Sequence, residues 1–294
     1  MPLFDSYLLV DWSAAAYPNL GSNSIWLGLV RRGEGNGEHL KLENPETRAK
    51  ATERIIELAT DNLRKKRRLL IGFDFPFGYP TGTGDRLGFP GLPWRNMWQF
   101  LEDQIEDQNN NKNNRFDVAE YLNSRLSDEA FPFWGLVREE SRIHLLRRGR
   151  RPHGLNDLPE WRSCDLKIPR LQPVWKLAGV GSVGSQSLTG IPRVWQIRKA
   201  PDIAFHCHIW PFETGLQFDP RPSIILAEVY PSLTPVQTIA GKPKDAGQVA
   251  TLGRWLMNLD DNNQLKELFF GDPRLTAEKR RQVELEEAWI LGVK

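Results

Sequence analysis

Short unbroken blocks of apolar residues, separated by polar or chain-breaking stretches, organise the first eighty residues. DSYLLVDW reads as a strand that closes on an acid, Asp11. After the loop YPNLGSN, SIWLGLVRR reads as a second strand, and HLKLE as a third beyond the turn-forming GEGNGE. Asn44 and Pro45 then offer a helix N-cap and a first helical residue. Ala51, Ile55, Ile56, Ala59 and Leu63 follow at three- and four-residue spacing, which predicts an amphipathic helix. LLIGFD is predicted as a fourth strand, buried on both faces because no polar residue interrupts it before Asp74.

From Pro80 to about Ala204 this regularity stops. The region is rich in Pro, Gly, Trp and Arg, and it reads as a long insertion between core strands 4 and 5 rather than a separate domain. Short helices are expected around Trp94–Gln108 and Val118–Leu126, and the Asn-rich tract Gln108–Arg115 as an exposed, mobile loop. Regular structure resumes with IAFHCHIWPF and then SIILAEVYPS, the expected fifth core strand. KDAGQVATLGRWLMNL carries Val249, Leu252, Trp255, Leu256 and Leu259 at helical spacing, and TAEKRRQVELEEAWILGV reads as a last helix with Glu and Arg facing solvent. The expectation is one α/β domain spanning residues 1–294.

Composition narrows the setting. With 40% hydrophobic and 26% charged residues, the chain has the make-up of a soluble globular protein. No apolar run approaches the ~18 residues of a membrane span, so no membrane partner is expected. The stretch MPLFDSYLLVDWS has no basic segment and contains Asp5 and Asp11, which is unlike a signal peptide. Two cysteines, Cys164 and Cys207, make neither a disulfide framework nor a four-cysteine zinc site, and a cytoplasmic location is the expectation. A net charge of +2 demands no nucleic-acid partner. Between Arg138 and Arg170, nine Lys/Arg face five Asp/Glu, centred on RRGRR at 147–151. Such a patch can meet phosphate, although a solvated charged loop is the commoner outcome. Seven of the eleven tryptophans lie from Trp94 to Trp210, where a core role is favoured over base stacking.

Three apolar runs share one ending. LLVDW, LLIGFDFP and IILAEVYP each close on an acid, Asp11, Asp74 or Glu228. Proline does not extend a central strand, so Asp74 and Glu228 sit near carboxyl ends, the edge where open α/β sheets bind ligands. If the three strands run parallel, the carboxylates converge, and some must protonate or share a cation such as Mg²⁺ or Mn²⁺. Asp245, opening the next helix, is equally a fourth ligand or a helix cap. The structural alternative for each acid is pairing with Arg or backbone N–H.

Other signals are weaker. GVGSVG at 179–184 fits a dinucleotide-loop pattern, but no strand precedes it, and Gly190 and Pro192 interrupt any helix after it. It is expected to be a flexible or substrate-covering loop, with Ser185 and Gln186 as nearby polar contacts. His206 and His208 share one strand face without a third ligand and read as ordinary edge positions. Glu213, in WPFETG, reaches the acidic cluster or caps a turn, and Ser13 touches a bound water or, more commonly, caps its loop.

Three strands, a helix, a strand, another strand and a C-terminal helix is the layout of a ribonuclease H-like mixed sheet flanked by helices. The chain resembles the DUF429 group of predicted ribonuclease H-like nucleases. The resemblance runs through VDWSAA (10–15), IGFDFPFGYP (71–80), VGSQSLTGIP (183–192), WPFETG (210–215), AEVYPS (227–232) and EEAWILGV (286–293). It implies acids from the first and fourth strands and a late helix holding divalent metal, and hydrolysis of a nucleic acid or small phosphodiester. In that scheme Asp11 bridges two ions roughly 3.5–4 Å apart, Asp74 and Glu228 each complete one shell, and Asp245 adds a ligand or orients water. The competing expectations are a phosphotransferase of the actin-like kind and a non-catalytic binding protein. The first is disfavoured because Trp12, Ser13 and three alanines follow Asp11 where a Gly-rich hairpin is needed.

Overall fold

The strands predicted from the apolar blocks form, and a sixth joins them. In the computed structural model, which describes residues 2–33, 37–137 and 141–294, β1 is Ser6–Asp11, β2 Trp26–Arg32, β3 Glu38–Glu43, β4 Leu69–Phe73, β5 Cys207–Ile209 and β6 Ile224–Glu228. They make one mixed sheet in the order β3-β2-β1-β4-β6-β5. The β1–β2 and β2–β3 pairs are antiparallel, and β1–β4, β4–β6 and β6–β5 are parallel. Residues 34–36 of the β2–β3 turn and Arg138 of the basic stretch lie outside the described residues.

The helices are α1 (Arg48–Arg64), α2 (Thr83–Leu87), α3 (Pro93–Gln104), α4 (Arg115–Leu126), α5 (Gly184–Lys199), α6 (Lys244–Asp261) and α7 (Ala277–Gln282). Both sheet faces are covered, which explains why β4 has no polar position. One face packs against Ala51, Ile55 and Ala59 of α1 and Leu188, Ile191 and Val194 of α5. The other packs against Val249, Leu252 and Leu256 of α6. The insertion shares the first of these cores: Trp98 meets Trp94 and Trp195 edge-on at 5.8 and 6.0 Å, and Trp94 stacks on Phe212 at 4.8 Å. These tryptophans are structural.

Three local expectations change. Helix α1 is capped by Thr47, whose side chain accepts from Lys50 N, and not by Asn44. Asn44 instead binds Gly21, Ser24 and Ile25 and pins the β1–β2 loop. The Asn-rich tract is ordered, because Asn111 is buried and bonds to Arg48 N, Tyr17 O and Glu46 O. Helix α5 runs straight through Gly190 and Pro192. A Cβ at Gly190 would lie 2.3 Å from Phe75 Cζ, so the glycine serves close packing rather than a break. Gly190→Ala is expected to cost about 1–3 kcal/mol by overpacking, and an unchanged urea midpoint would show that Phe75 yields freely.

After α7 the chain makes a π-helical turn, Val283–Glu287, and its acids turn inward rather than to solvent. Glu286 accepts from Gly82 N (2.9 Å) and Gly84 N (2.5 Å). Glu287 accepts from Thr81 Oγ1 (2.5 Å) and Ser163 N (2.7 Å), and Leu291 N donates to Glu228 O (2.9 Å). These bonds tie the insertion to the sheet. Among the described residues no helix is long and apolar enough to cross a membrane.

Candidate functional site

A cleft of about 940 Å³ opens at the carboxyl ends of β1, β4 and β6. Its walls are the β1–β2 loop, the insertion between residues 170 and 186, and the segment after β6. Asp11, Asp74, Glu228, Asp245, Ser13, Ser185 and Gln186 all line it. Sequence position therefore located the cleft, but the acids do not form one cluster.

Register decides how they divide. Val10, Phe73 and Glu228 occupy one row of the sheet. Side chains alternate between faces, so Asp11 and Asp74, one residue further on, point to the α6 side while Glu228 points to the α1/α5 side. Asp11 and Asp74 lie against each other, so that one carboxyl can hydrogen-bond the other when either is protonated. Trp12 N donates to Asp74 Oδ1 at 2.7 Å, fixing that carboxyl. Asp245, in the first turn of α6, acts on both acids through its charge and is itself held by Asn23 N at 2.7 Å. Burial first, then the Asp74 and Asp245 charges, push the Asp11 carboxyl up to about 9. Burial pushes Asp74 up to about 7 against the Trp12 N–H, which favours its ionised form. As a pair they retain a shared proton near neutral pH.

Glu228 is engaged elsewhere, which corrects its expected role as a metal ligand. Its two oxygens accept from Arg162 Nη1 and Nη2, each at 2.7 Å, and Phe77 N adds a third bond at 2.9 Å. Arg162, fully buried, also grips Asp165 through Nε (3.1 Å) and Nη2 (2.8 Å). Glu213 is corrected as well. It lies away from the cleft, where Arg198 holds it bidentately at 2.7 and 2.9 Å and Ile209 N donates to it, bracing α5 against β5.

The remaining candidates play supporting parts. Ser13 Oγ accepts from Ala15 N and donates to Asn23 O, capping the loop. Gln186 Nε2 donates to Trp12 O (2.6 Å), bracing the residue that aims Asp74. Ser185 Oγ donates to Leu177 O and accepts from Arg115 Nε. His208 lies on the edge strand β5, 3.6 Å from Asp219, while His206 ends the 3-10 turn before it, so the two do not share a strand face. Of the basic patch, Arg150 and Arg151 are spent on Glu160, Asp157 and Glu129.

Among the described residues, no three His, Cys, Asp or Glu side chains are arranged to hold a metal ion. The donor chemistry at Asp11 and Asp74 nonetheless suits one hard cation, because the proton they share does the electrostatic work a divalent ion would do. Glu228 does not suit a second ion, since both of its oxygens already accept from the Arg162 guanidinium. Sequence reading missed Arg162 and Arg115. The only traces of either are a basic residue three before Asp165 and one closing the Asn tract. No family model, curated protein or solved structure matches this chain.

Proposed function

We propose that this protein is a divalent-cation-dependent phosphodiesterase on a ribonuclease H-like scaffold, with Asp11 and Asp74 as its catalytic acids. The observation that carries the reading is the Asp11–Asp74 pair. Two carboxyl groups at the ends of adjacent parallel strands lie against each other inside a cleft, and among the described residues neither is salt-bridged to a Lys or Arg. The resemblance to the DUF429 group points the same way, since VDWSAA and IGFDFPFGYP carry these two acids.

Asp11 and Asp74 would hold Mg²⁺ or Mn²⁺, with Asp245 alongside. When bound, the ion supplies Lewis-acid polarisation of a phosphoryl oxygen and a more acidic water. The chain supplies orientation. Trp12 N fixes Asp74, Asn23 N fixes Asp245, and the parallel pairing of β1 with β4 sets Asp11 beside Asp74. Asp245, held on a helix N-terminus, accepts a hydrogen bond from an attacking water. One ion is expected, not two, because Arg162 occupies Glu228.

The purified protein is expected to cleave bis(p-nitrophenyl) phosphate and single-stranded oligonucleotides in Mg²⁺ or Mn²⁺. Activity should be lost in excess EDTA and restored by added metal. Turnover that ignores EDTA, or no turnover on any phosphodiester, rejects the reading.

A further inference from the structure

Arg115 is the first residue of α4, lines the cleft and is only 9% exposed. A buried guanidinium normally faces a carboxylate, because an uncompensated charge out of water is costly. Arg115 does not. Its Nε donates to Ser185 Oγ (3.0 Å) and its Nη1 to Asn113 Oδ1 (2.9 Å), both neutral oxygens, and its plane lies over the Phe116 ring at 4.4 Å. Among the described residues Nη2 donates to nothing, and it is not sealed from solvent.

The neighbouring carboxylate is already used. Asp107 receives Arg48 through Nε (2.9 Å) and Nη2 (2.6 Å) and Arg193 through Nε (3.0 Å) and Nη2 (2.9 Å). Two arginines already share this one acid, and Arg115 adds a third positive charge beside it, leaving a surplus in this wall. Burial, then the Arg48 charge, lower the Arg115 pKa to about 10, so the side chain stays charged at neutral pH. Ser185, which accepts from Arg115, is the second residue of α5, whose N-terminal end adds partial positive charge on the same wall.

We propose that Arg115 is an oxyanion-binding residue of the cleft, where its free guanidinium edge receives a phosphate group of the substrate. The guanidinium fork suits two phosphate oxygens, and the bound anion becomes the counter-ion that the protein itself lacks. Arg115 thereby fixes where a phosphorylated substrate lies relative to the Asp11–Asp74 pair. The binding step does not depend on hydrolysis and stands or falls separately from it.

The test uses metal-free protein, so that phosphate cannot enter through a bound cation. Calorimetric titration with inorganic phosphate, in chloride buffer at constant ionic strength, is expected to show one site. Arg115→Met should weaken it at least about tenfold. Arg115→Lys, which keeps the charge and loses the fork, should bind with intermediate affinity. Acetate in place of phosphate separates phosphate recognition from attraction to any carboxylate, and is expected to bind more weakly.

Thermal melting supplies the readout that a purely structural arginine would not give. Saturating phosphate should raise the wild-type midpoint by about 2–4 °C and leave Arg115→Met unmoved. Without phosphate, Arg115→Met should melt at or above the wild-type temperature, because it removes an uncompensated charge. No phosphate site in the wild type, undiminished affinity in Arg115→Met, acetate binding as tightly as phosphate, or a variant that melts well below wild type or fails to fold would each overturn the proposal.

Discussion

Arg162→Met is expected to lower the free energy of unfolding by about 3–5 kcal/mol, measured by urea denaturation. One fully buried guanidinium holds both oxygens of Glu228 and both of Asp165, and Nη1 adds a bond to Glu287 O at 3.1 Å. Methionine fills much of the volume but leaves two carboxylates without a cation in a place water does not reach. These acids would have to protonate or drag the surrounding segments open. Adding Glu228→Gln and Asp165→Asn to Arg162→Met should recover most of the loss, because the cost lies in the stranded charges rather than in the missing contacts. A loss below about 1 kcal/mol for the single change would show that the cluster is not a structural clamp. It would also return Glu228 to the set of available metal ligands.

Asp11→Asn is expected to reduce metal-dependent turnover by about 10³-fold or more, while making the metal-free protein more stable. The second effect follows from proton linkage. The folded Asp11 carboxyl titrates near 9 against an ordinary value of 3.8, so the folded state binds its proton more tightly than the unfolded chain does. The stability this contributes is fully present below about pH 4 and is lost progressively as pH rises towards 9. The wild type should therefore fall behind Asp11→Asn across that window, by on the order of 2 kcal/mol at the top, with cleft water screening the pair. Mg²⁺ should raise the melting point of the wild type and do little for the variant. A wild-type-to-variant gap that stays constant from pH 5 to 9 would contradict the charged-pair account.

Much of this arrangement was readable from residue order. The unbroken apolar block at 69–73 announced a strand covered on both faces, and the spacing of Val249, Leu252 and Leu256 announced the helix that covers one of them. What the blocks conceal is parity. In a run such as LLVD or IILAE every position before the closing acid is apolar, so nothing marks which side chains share a face. Only pairing revealed that Glu228 lies in the row of Val10 and Phe73, one step out of phase with Asp11 and Asp74.

The insertion hid more, because composition describes solvation and not local geometry. Asparagines suggested a loose loop, yet Asn111 adopts a left-handed backbone (φ 70°) that asparagine tolerates and spends its amide on two separate segments, at Tyr17 and at Glu46–Arg48. Gly190 and Pro192 suggested a break, yet tertiary packing on Phe75 overrode it. Arg162 and Arg115 gave almost no warning, since a functional arginine in an aperiodic stretch resembles any surface arginine until its partners, or their absence, are seen.

The inward-turned acids at 286 and 287 carry a consequence for biosynthesis. They fasten residues 81–84 and 163, and Leu291 N closes on the backbone of β6. A chain emerging from the ribosome can pair β1 with β2 early, but it cannot lock the cleft until residues 286–291 have followed. Competence should thus await residues 286–291, however early the first strands collapse.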